Sequence, residues 1–392
     1  MRKETFHNNI GHFIFEEYVM KIAMFTDTYH PQFNGVVTSI DFFANELRKN
    51  HEVHIFAPES PNYKNKDKFV HTFKSIEFKR YPGYRIGLPV ALLKYNFKDF
   101  DVIHIHTPAT MGLAGMVIGN DNKIPIVGTF HTLIPEYTDY IIETKIMRMV
   151  TTRALWKFVK HFYNFCNAVI SPSSATKLEL QKHGVIKKIY VIPTGINLNK
   201  QAKKIMNKSK IALRKKYNIP KNEKIIIHVG RITKEKNIEL ILRAVSEIDV
   251  KLIITSDGPY KNKIKKLTEE LNIEKKVIFT GFLPSEKLYE YYKLSDAFVM
   301  ASKTETQGIV LLEATLFGLP IVTIDAPVTG DFVKENKVGI VSSEENFSKS
   351  IKKILKRKNK IDSKKILKKY NPEKTTKDLI EVYKSVINPN IR

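Results

Sequence analysis

Two glutamates eight positions apart, Glu305 and Glu313, stand in the stretch Ser302–Pro320, SKTETQGIVLLEATLFGLP. Thr304 or Thr306 is a predicted cap for a helix whose body is IVLLEATLF. Gly318 and Pro320 end it. Glu305 then falls in the loop before the helix and Glu313 about one turn inside. Free backbone N–H groups at Gly308, Ile309 and Val310 leave the helix N-terminus, an end that attracts anions and phosphate above all. A loop carboxylate beside it can grip sugar hydroxyls, and one further along can accept from a ribose. The same spacing fits an amphipathic helix with two solvated glutamates. The strand that follows, Ile321–Asp325, makes this an α/β junction and favours the functional reading.

Arg231 and Lys236 stand at another strand–loop–helix junction, after the apolar run Ile225–Val229. Two cations aimed at a helix N-terminus make a pyrophosphate clamp; solvated surface cations are the alternative in so basic a chain. Gly35 opens a helix directly after a strand and loop, where a bare backbone lets a phosphate approach, although an ordinary helix-start glycine reads the same. His104, His106 and His131 invite a metal reading. Two of them alternate along one strand and no carboxylate is spaced to join them, so no metal is expected. At the carboxyl ends of parallel strands, His106 and His131 instead face the ligand crevice. Asp99-Phe100-Asp101 is formally an Asp-x-Asp motif, but it precedes its strand and reads as a turn.

The elements that position these residues alternate as in a doubly wound sheet. In the first half the strand candidates are Lys21–Thr26, His51–Ala57, Phe100–Thr107, Ile124–Thr129, Ala168–Ser171 and Ile189–Pro193. In the second they are Ile225–Val229, Lys251–Ser256, Val277–Thr280, Ala297–Ala301, Ile321–Asp325 and Val338–Val341. Residues 1–19 are polar and aromatic without period and read as an appendage whose removal leaves fold and activity intact. Pro58–Leu93 reads as irregular, basic and aromatic, Ala109–Gly119 as a buried helix, and Lys145–Asn167 as a long cationic helix.

A chain of 392 residues suits two domains, and 43% hydrophobic residues suffice for full cores. The formal net charge of +25 calls for a polyanionic contact: nucleic acid, an anionic membrane, or polyanions in solution. Cations gather in Lys64–Arg85, Lys145–Lys160 and Lys352–Lys369, the first interleaving Phe78, Tyr81 and Tyr84 with Lys79, Arg80 and Arg85. Such a surface stacks bases, sits in lipid headgroups, or is a strand pair with solvated lysines. One cysteine, Cys166, excludes a disulfide framework and a cysteine zinc site. No apolar run reaches the roughly 18 residues of a spanning helix, and the N-terminus lacks the apolar core of a signal peptide. A cytoplasmic protein, peripheral on the inner face of the membrane, is the expectation.

The stretches NGVVTS, HIHTP, GTFHT, IPTGI, GRITKEKN, SDGP and TETQGIVLLEATLFGLPIV together resemble the family-4 glycosyltransferases of GT-B fold, across almost all of Met20–Val386. The TETQG version resembles the lipid-directed branch that includes diacylglycerol glucosyltransferases. The resemblance implies two Rossmann-like doubly wound domains facing a central cleft: residues 20–198 on the acceptor side, 199–371 on the nucleotide-sugar side, and a helix in 372–392 crossing back to the first. It implies hexose transfer with retention, from a nucleotide-sugar such as UDP-glucose, without metal or other cofactor, to a lipid at an anionic membrane. Carried over by position, Glu305 binds donor-sugar hydroxyls and Glu313 the ribose. Arg231 and Lys236 neutralise the leaving diphosphate, Gly35 lets its loop approach it, and Gly308, Ile309 and Val310 face it. His131 contacts the sugar near the reacting carbon; Asp27 and His106 lie on the acceptor side. A soluble sugar, polyol or polysaccharide acceptor is the competing expectation. A basic nucleic-acid-binding protein is a third, disfavoured because no nucleic-acid motif is present.

Overall fold

The computed structural model describes residues 18–61, 63–78, 85–133, 144–197, 199–357 and 361–388. Its strands are β1 (Lys21–Phe25), β2 (Glu52–Pro58), β3 (Val70–Phe73), β4 (Ser75–Glu77), β5 (Arg85–Gly87), β6 (Val102–Ile105), β7 (Ile126–Thr129), β8 (Ala168–Ser171), β9 (Ile189–Val191), β10 (Ile225–Val229), β11 (Lys251–Thr255), β12 (Val277–Gly281), β13 (Ala297–Met300), β14 (Ile321–Ile324) and β15 (Gly339–Ser342). The α-helices are α1 (Gly35–Leu47), α2 (Thr110–Asn122), α3 (Lys145–Phe165), α4 (Ser174–Lys182), α5 (Lys200–Met206), α6 (Lys210–Lys216), α7 (Ile238–Ser246), α8 (Lys261–Glu270), α9 (Ser285–Leu294), α10 (Ile309–Leu316), α11 (Pro327–Asn336), α12 (Phe347–Leu355), α13 (Ser363–Lys369) and α14 (Pro372–Ile387).

Two parallel sheets organise them. The first runs β3-β2-β1-β6-β7-β8-β9 and the second β12-β11-β10-β13-β14-β15. Helices cover both faces, which is why strands such as β10 (IIIHV) are apolar without alternation and buried along their length. In each sheet the winding reverses once, between β1 and β6 and between β10 and β13. Loops leaving the carboxyl ends of such neighbours part to opposite faces and open a crevice. The loop carrying Gly35 and the turn carrying His106 bracket the first crevice. The loops carrying Arg231 and Glu305 bracket the second.

Pro58–Leu93 is more ordered than the sequence suggests. It contributes edge strand β3, paired in parallel with β2, and the antiparallel pair β4–β5. Short strands with interleaved lysines lack the continuous apolar run of a central strand, so this edge is hard to see in sequence. Helix α2 corrects the reading of a buried helix. Only one side, with Met111 and the glycines, is fully covered: a Cβ at Gly112 would stand 1.9 Å from Thr107 O, and one at Gly115 2.8 Å from the Phe25 ring. Leu113 and Val117 on the outer face are exposed. The last helix, α14, returns to the first sheet, where Leu379, Val382 and Tyr383 pack among Ile40, Phe43 and Leu47 of α1 and nearby strands. Each such buried side chain contributes roughly 1.5–3 kcal/mol. Tyr18 and Met20 begin the described chain: Tyr18 donates its hydroxyl to Asp101, and Lys21 N donates to the other oxygen of that carboxylate at 2.7 Å. Asp101 therefore anchors the start of β1, at the sheet edge opposite the crevice.

Candidate active site

Glu305 and Lys236 meet at the second crevice. Lys236 Nζ lies 2.5 Å from Glu305 Oε1, with side chains only 16% and 14% exposed. Lys236 closes a single 3₁₀ turn, Lys234–Lys236, and Asn237 then takes a left-handed φ of 49° before α7 begins. This sharp reversal turns the lysine back over the end of β10. A Cβ at Gly230 would stand 3.6 Å from His228 Nε2 and 3.9 Å from the Lys236 stem, so these residues share one wall. His228 accepts no charge there: burial pushes its pKa down to about 4 while Nδ1 lies 3.1 Å from Val299 O.

Neither Thr304 nor Thr306 caps α10. Gly308 occupies the cap position with φ 71°, and among the described residues no side chain caps this helix end. The left-handed turn favours glycine there; Thr306 turns to the other half of the molecule, while Thr304 Oγ1 is buried without a hydrogen-bond partner among the described residues. The backbone N–H groups of Gly308, Ile309 and Val310 belong to that uncapped first turn. Glu313 is not a solvated glutamate. Tyr292 OH donates to its Oε2 at 2.9 Å, and burial raises its pKa to about 7 against that hydrogen bond.

On the first sheet, Asn34 Oδ1 accepts from Val36 N and Val37 N at 3.0 Å and so caps α1. A Cβ at Gly35 would meet nothing within 4 Å, so internal packing does not explain the glycine. Asp27 is committed elsewhere. Its Oδ1 accepts from Thr110 Oγ1 at 2.9 Å and Met111 N at 2.8 Å, and its Oδ2 from Thr107 Oγ1 at 2.7 Å. This carboxylate closes the N-terminus of α2, and burial raises its pKa. These bonds give Asp27 a supporting place under α2. His106 is also set back from the crevice. It is buried, its Nδ1 lies 3.0 Å from His131 Nε2, and its ring lies 4.0 Å from that of His104. His104 in turn bonds Tyr383 OH and Thr129 Oγ1, each at 2.6 Å. Burial pushes His104 and His131 down to about 3 and His106 well below its usual value. All three are neutral near pH 7. Among the described residues no group of three or more His, Cys, Asp or Glu could hold a metal ion.

The two crevices are joined. Thr306 Oγ1 donates to His131 O at 2.8 Å, and Gln307 Nε2 donates to Thr194 O at 2.8 Å while Oε1 accepts from Thr194 N at 2.9 Å. Elsewhere along the cleft, Phe33 and Phe282 bring their rings to 4.8 Å. Glu305, Lys236 and Arg231 thus come from the second sheet, His131 and Gly35 from the first, around one cleft. Sequence reasoning missed Gln307, Thr194 and Tyr292. Gln307 and Thr194 both lie inside stretches already singled out, TETQG and IPTGI, whereas nothing local marks Tyr292.

Residues 33–200 match the model of Glycosyltransferase Family 4, and residues 209–374 match that of Glycosyl transferases group 1. The alpha-monoglucosyldiacylglycerol synthase of Streptococcus pneumoniae is 34% identical over 339 residues, covering 82% of this chain and 74% of that protein. The chain is a family-4 glycosyltransferase. The Acholeplasma laidlawii alpha-monoglucosyldiacylglycerol synthase is 31% identical over 341 residues, 82% of this chain and 84% of its own. A GDP-mannose-dependent alpha-mannosyltransferase of Mycobacterium tuberculosis is 25% identical over 332 residues, 82% of this chain and 83% of its own. Among solved structures, sucrose-phosphate synthase from Thermosynechococcus elongatus superposes with a TM-score of 0.74 at 19% identity, over 95% of this chain and all of that one. Anabaena HepE in complex with UDP-glucose gives 0.73 at 17%, over 93% of this chain and 100% of its own. The fold of this family-4 glycosyltransferase is GT-B, and its activity is retaining hexosyl transfer.

Proposed function

We propose that this glycosyltransferase moves glucose from UDP-glucose to a diacylglycerol-type lipid at the surface of an anionic membrane. The glycosyl C1–phosphate oxygen bond breaks and a bond from C1 to the acceptor oxygen forms on the same face. The acceptor proton passes to the departing diphosphate oxygen, so no protein base is needed. Arg231, Lys236 and the first turn of α10 stabilise the charge that develops on that diphosphate. Gly35 leaves room for it. Glu305 holds sugar hydroxyls, Glu313 the ribose, and His131 the sugar beside C1.

One observation supports the lipid acceptor beyond the relatives' names. In the first turns of α3, Ile146 is 73% and Val150 57% exposed, with Met147 and Met149 exposed beside them. Arg153 and Lys157 extend this surface. Exposed aliphatic residues rimmed by cations suit a headgroup layer, where each cation contributes roughly 1 kcal/mol. Among the described residues no helix is long and apolar enough to cross a membrane. Lys79 and Arg80, expected to contribute, lie outside the described residues. Arg85 bonds across β4–β5: its Nε donates to Ser75 Oγ at 2.7 Å and its Nη2 to Ser75 O at 2.9 Å, both uncharged partners that leave its charge in place.

Product mass analysis with UDP-glucose and GDP-mannose, each offered diacylglycerol or a panel of soluble sugars and polyols, tests the reading. Glycosylated diacylglycerol is the expected product, with sedimentation on anionic but not neutral vesicles and release by salt. Replacing Ile146, Met147 and Val150 by Ser reduces both sedimentation and lipid glycosylation. Transfer only to a soluble acceptor, with no vesicle binding, overturns the lipid assignment.

A further inference from the structure

The loop that carries Glu305 is held by the opposite half of the molecule. Thr306 Oγ1 donates to the carbonyl of His131 at 2.8 Å, and Thr306 O accepts from Thr176 Oγ1 of α4 at 3.1 Å. The Gln307 side chain takes both backbone groups of one residue: Nε2 donates to Thr194 O at 2.8 Å and Oε1 accepts from Thr194 N at 2.9 Å. A glutamine amide has one donor end and one acceptor end, so it pairs with a peptide backbone as a neighbouring strand would. A glutamate of the same length has only acceptors. The receiving surface is rigid. Thr194 Oγ1 donates to the buried Ser39 Oγ at 2.8 Å, and a Cβ at Gly195 would stand 2.5 Å from the Phe42 ring and 2.8 Å from Thr375 Oγ1.

We propose that Thr306 and Gln307 are positioning residues that latch the two halves in register for transfer. Glu305 directly precedes Thr306, and Thr306 is bonded to the backbone of His131. One peptide unit therefore links the residue that holds the donor sugar to the residue across the cleft. When the latch opens, His131 and the Lys236–Glu305 pair separate, although each half keeps its own fold. The diphosphate-binding groups on the second sheet do not depend on the latch; the alignment of sugar and acceptor does. This rests on the reading of Glu305 and His131 as donor-sugar contacts.

The test compares wild type with the double variant Thr306→Val, Gln307→Ala and with the single variants Thr306→Ser and Gln307→Glu. Small-angle scattering and hydrogen exchange over residues 300–308 report the latch itself. Calorimetry with UDP and GDP reports nucleotide binding. Transfer and hydrolysis of UDP-glucose and GDP-mannose, with diacylglycerol vesicles, report chemistry. The double variant is expected to expand and to exchange faster. Its kcat should fall at least tenfold, since each neutral hydrogen bond is worth a factor of about five. Nucleotide Kd should move by less than about threefold, and hydrolysis should rise relative to transfer. Thr306→Ser keeps the hydroxyl and stays near wild type. Gln307→Glu sets a carboxylate against the Thr194 carbonyl and behaves as an opened latch. Unchanged scattering, exchange and kcat in the double variant overturn the proposal, as does a parallel loss of kcat and nucleotide binding with a lowered Tm. If wild type transfers neither sugar, the functional reading fails instead, and scattering and exchange alone decide the latch: expansion upholds it, no change overturns it.

Discussion

Lys236 Nζ and Glu305 Oε1 lie 2.5 Å apart although 69 residues separate them in sequence. The proposed diphosphate clamp and the proposed sugar-binding carboxylate are therefore one ion pair, and neither can be changed in isolation. Arg231→Ala and Lys236→Ala should each lower kcat/KM by about 10²–10³, the scale of losing one charge-stabilising group. The ion pair also links Lys236 to stability: in Lys236→Ala, Glu305, largely buried, is left without that partner, at a cost of about 1–3 kcal/mol. Steady-state kinetics over limiting and saturating donor, with denaturant unfolding of the same variants, separates the two effects. Activity within about threefold of wild type removes the clamp.

Glu313 should make stability fall with rising pH. Burial holds its proton to about pH 7 in the folded protein, whereas the unfolded carboxyl releases it near 4.5. Between those values the folded state binds more protons, so the contribution is complete below about 4.5 and lost as pH rises through about 7. Its size is on the order of 1–3 kcal/mol. Glu313→Gln should remove that slope in urea unfolding measured at several pH values. If ribose hydroxyls bond to the ionised carboxylate, nucleotide binding near pH 6.5 releases a proton. Calorimetry in buffers of different ionisation enthalpy detects it, and a null result in that experiment rules out the ribose contact.

The histidines act in the opposite sense. His104 and His131 titrate near 3 when folded against an ordinary 6.5. Their contribution is therefore complete above about pH 6.5 and lost as pH falls toward 3. His104→Asn should show a shallower acid limb than wild type. Since His131 stays neutral from pH 5 to 8, any limb in kcat/KM over that range comes from another group. A pH–rate profile of His131→Asn that has lost a wild-type limb in that range contradicts this assignment.

Activity should persist in excess chelator. The sequence has no Asp-x-Asp motif after a strand, and Asp101, in the one that precedes a strand, is bonded to Tyr18 and Lys21. Assays with a chelator, then with Mg²⁺ or Mn²⁺ restored, check this. Loss that either ion reverses overturns it.

The central strands were legible in sequence because parallel strands covered on both faces are unbroken apolar runs; their order in each sheet and the edge strands β3, β4 and β5 were not. Ile225–Val229 and Ala168–Ser171 were bounded to the residue. Residues at the carboxyl ends of such strands follow at once as crevice residues, which is how Arg231, Lys236, Glu305 and His131 could be named. Tertiary structure alone decided which of them meet and which are spent on support. Asp27 has the composition of a site carboxylate, yet α2 folds its N-terminus onto it from more than 80 residues away. The His106 ring packs against that of His104 on the strand it follows and against that of His131 beyond β7, and only the second contact depends on tertiary structure. The bond of Gln307 to Thr194 spans 113 residues. Local periodicity reports which way a residue faces within its own element. It carries no information on how two separately folded sheets are brought together, and in this glycosyltransferase that apposition makes the cleft.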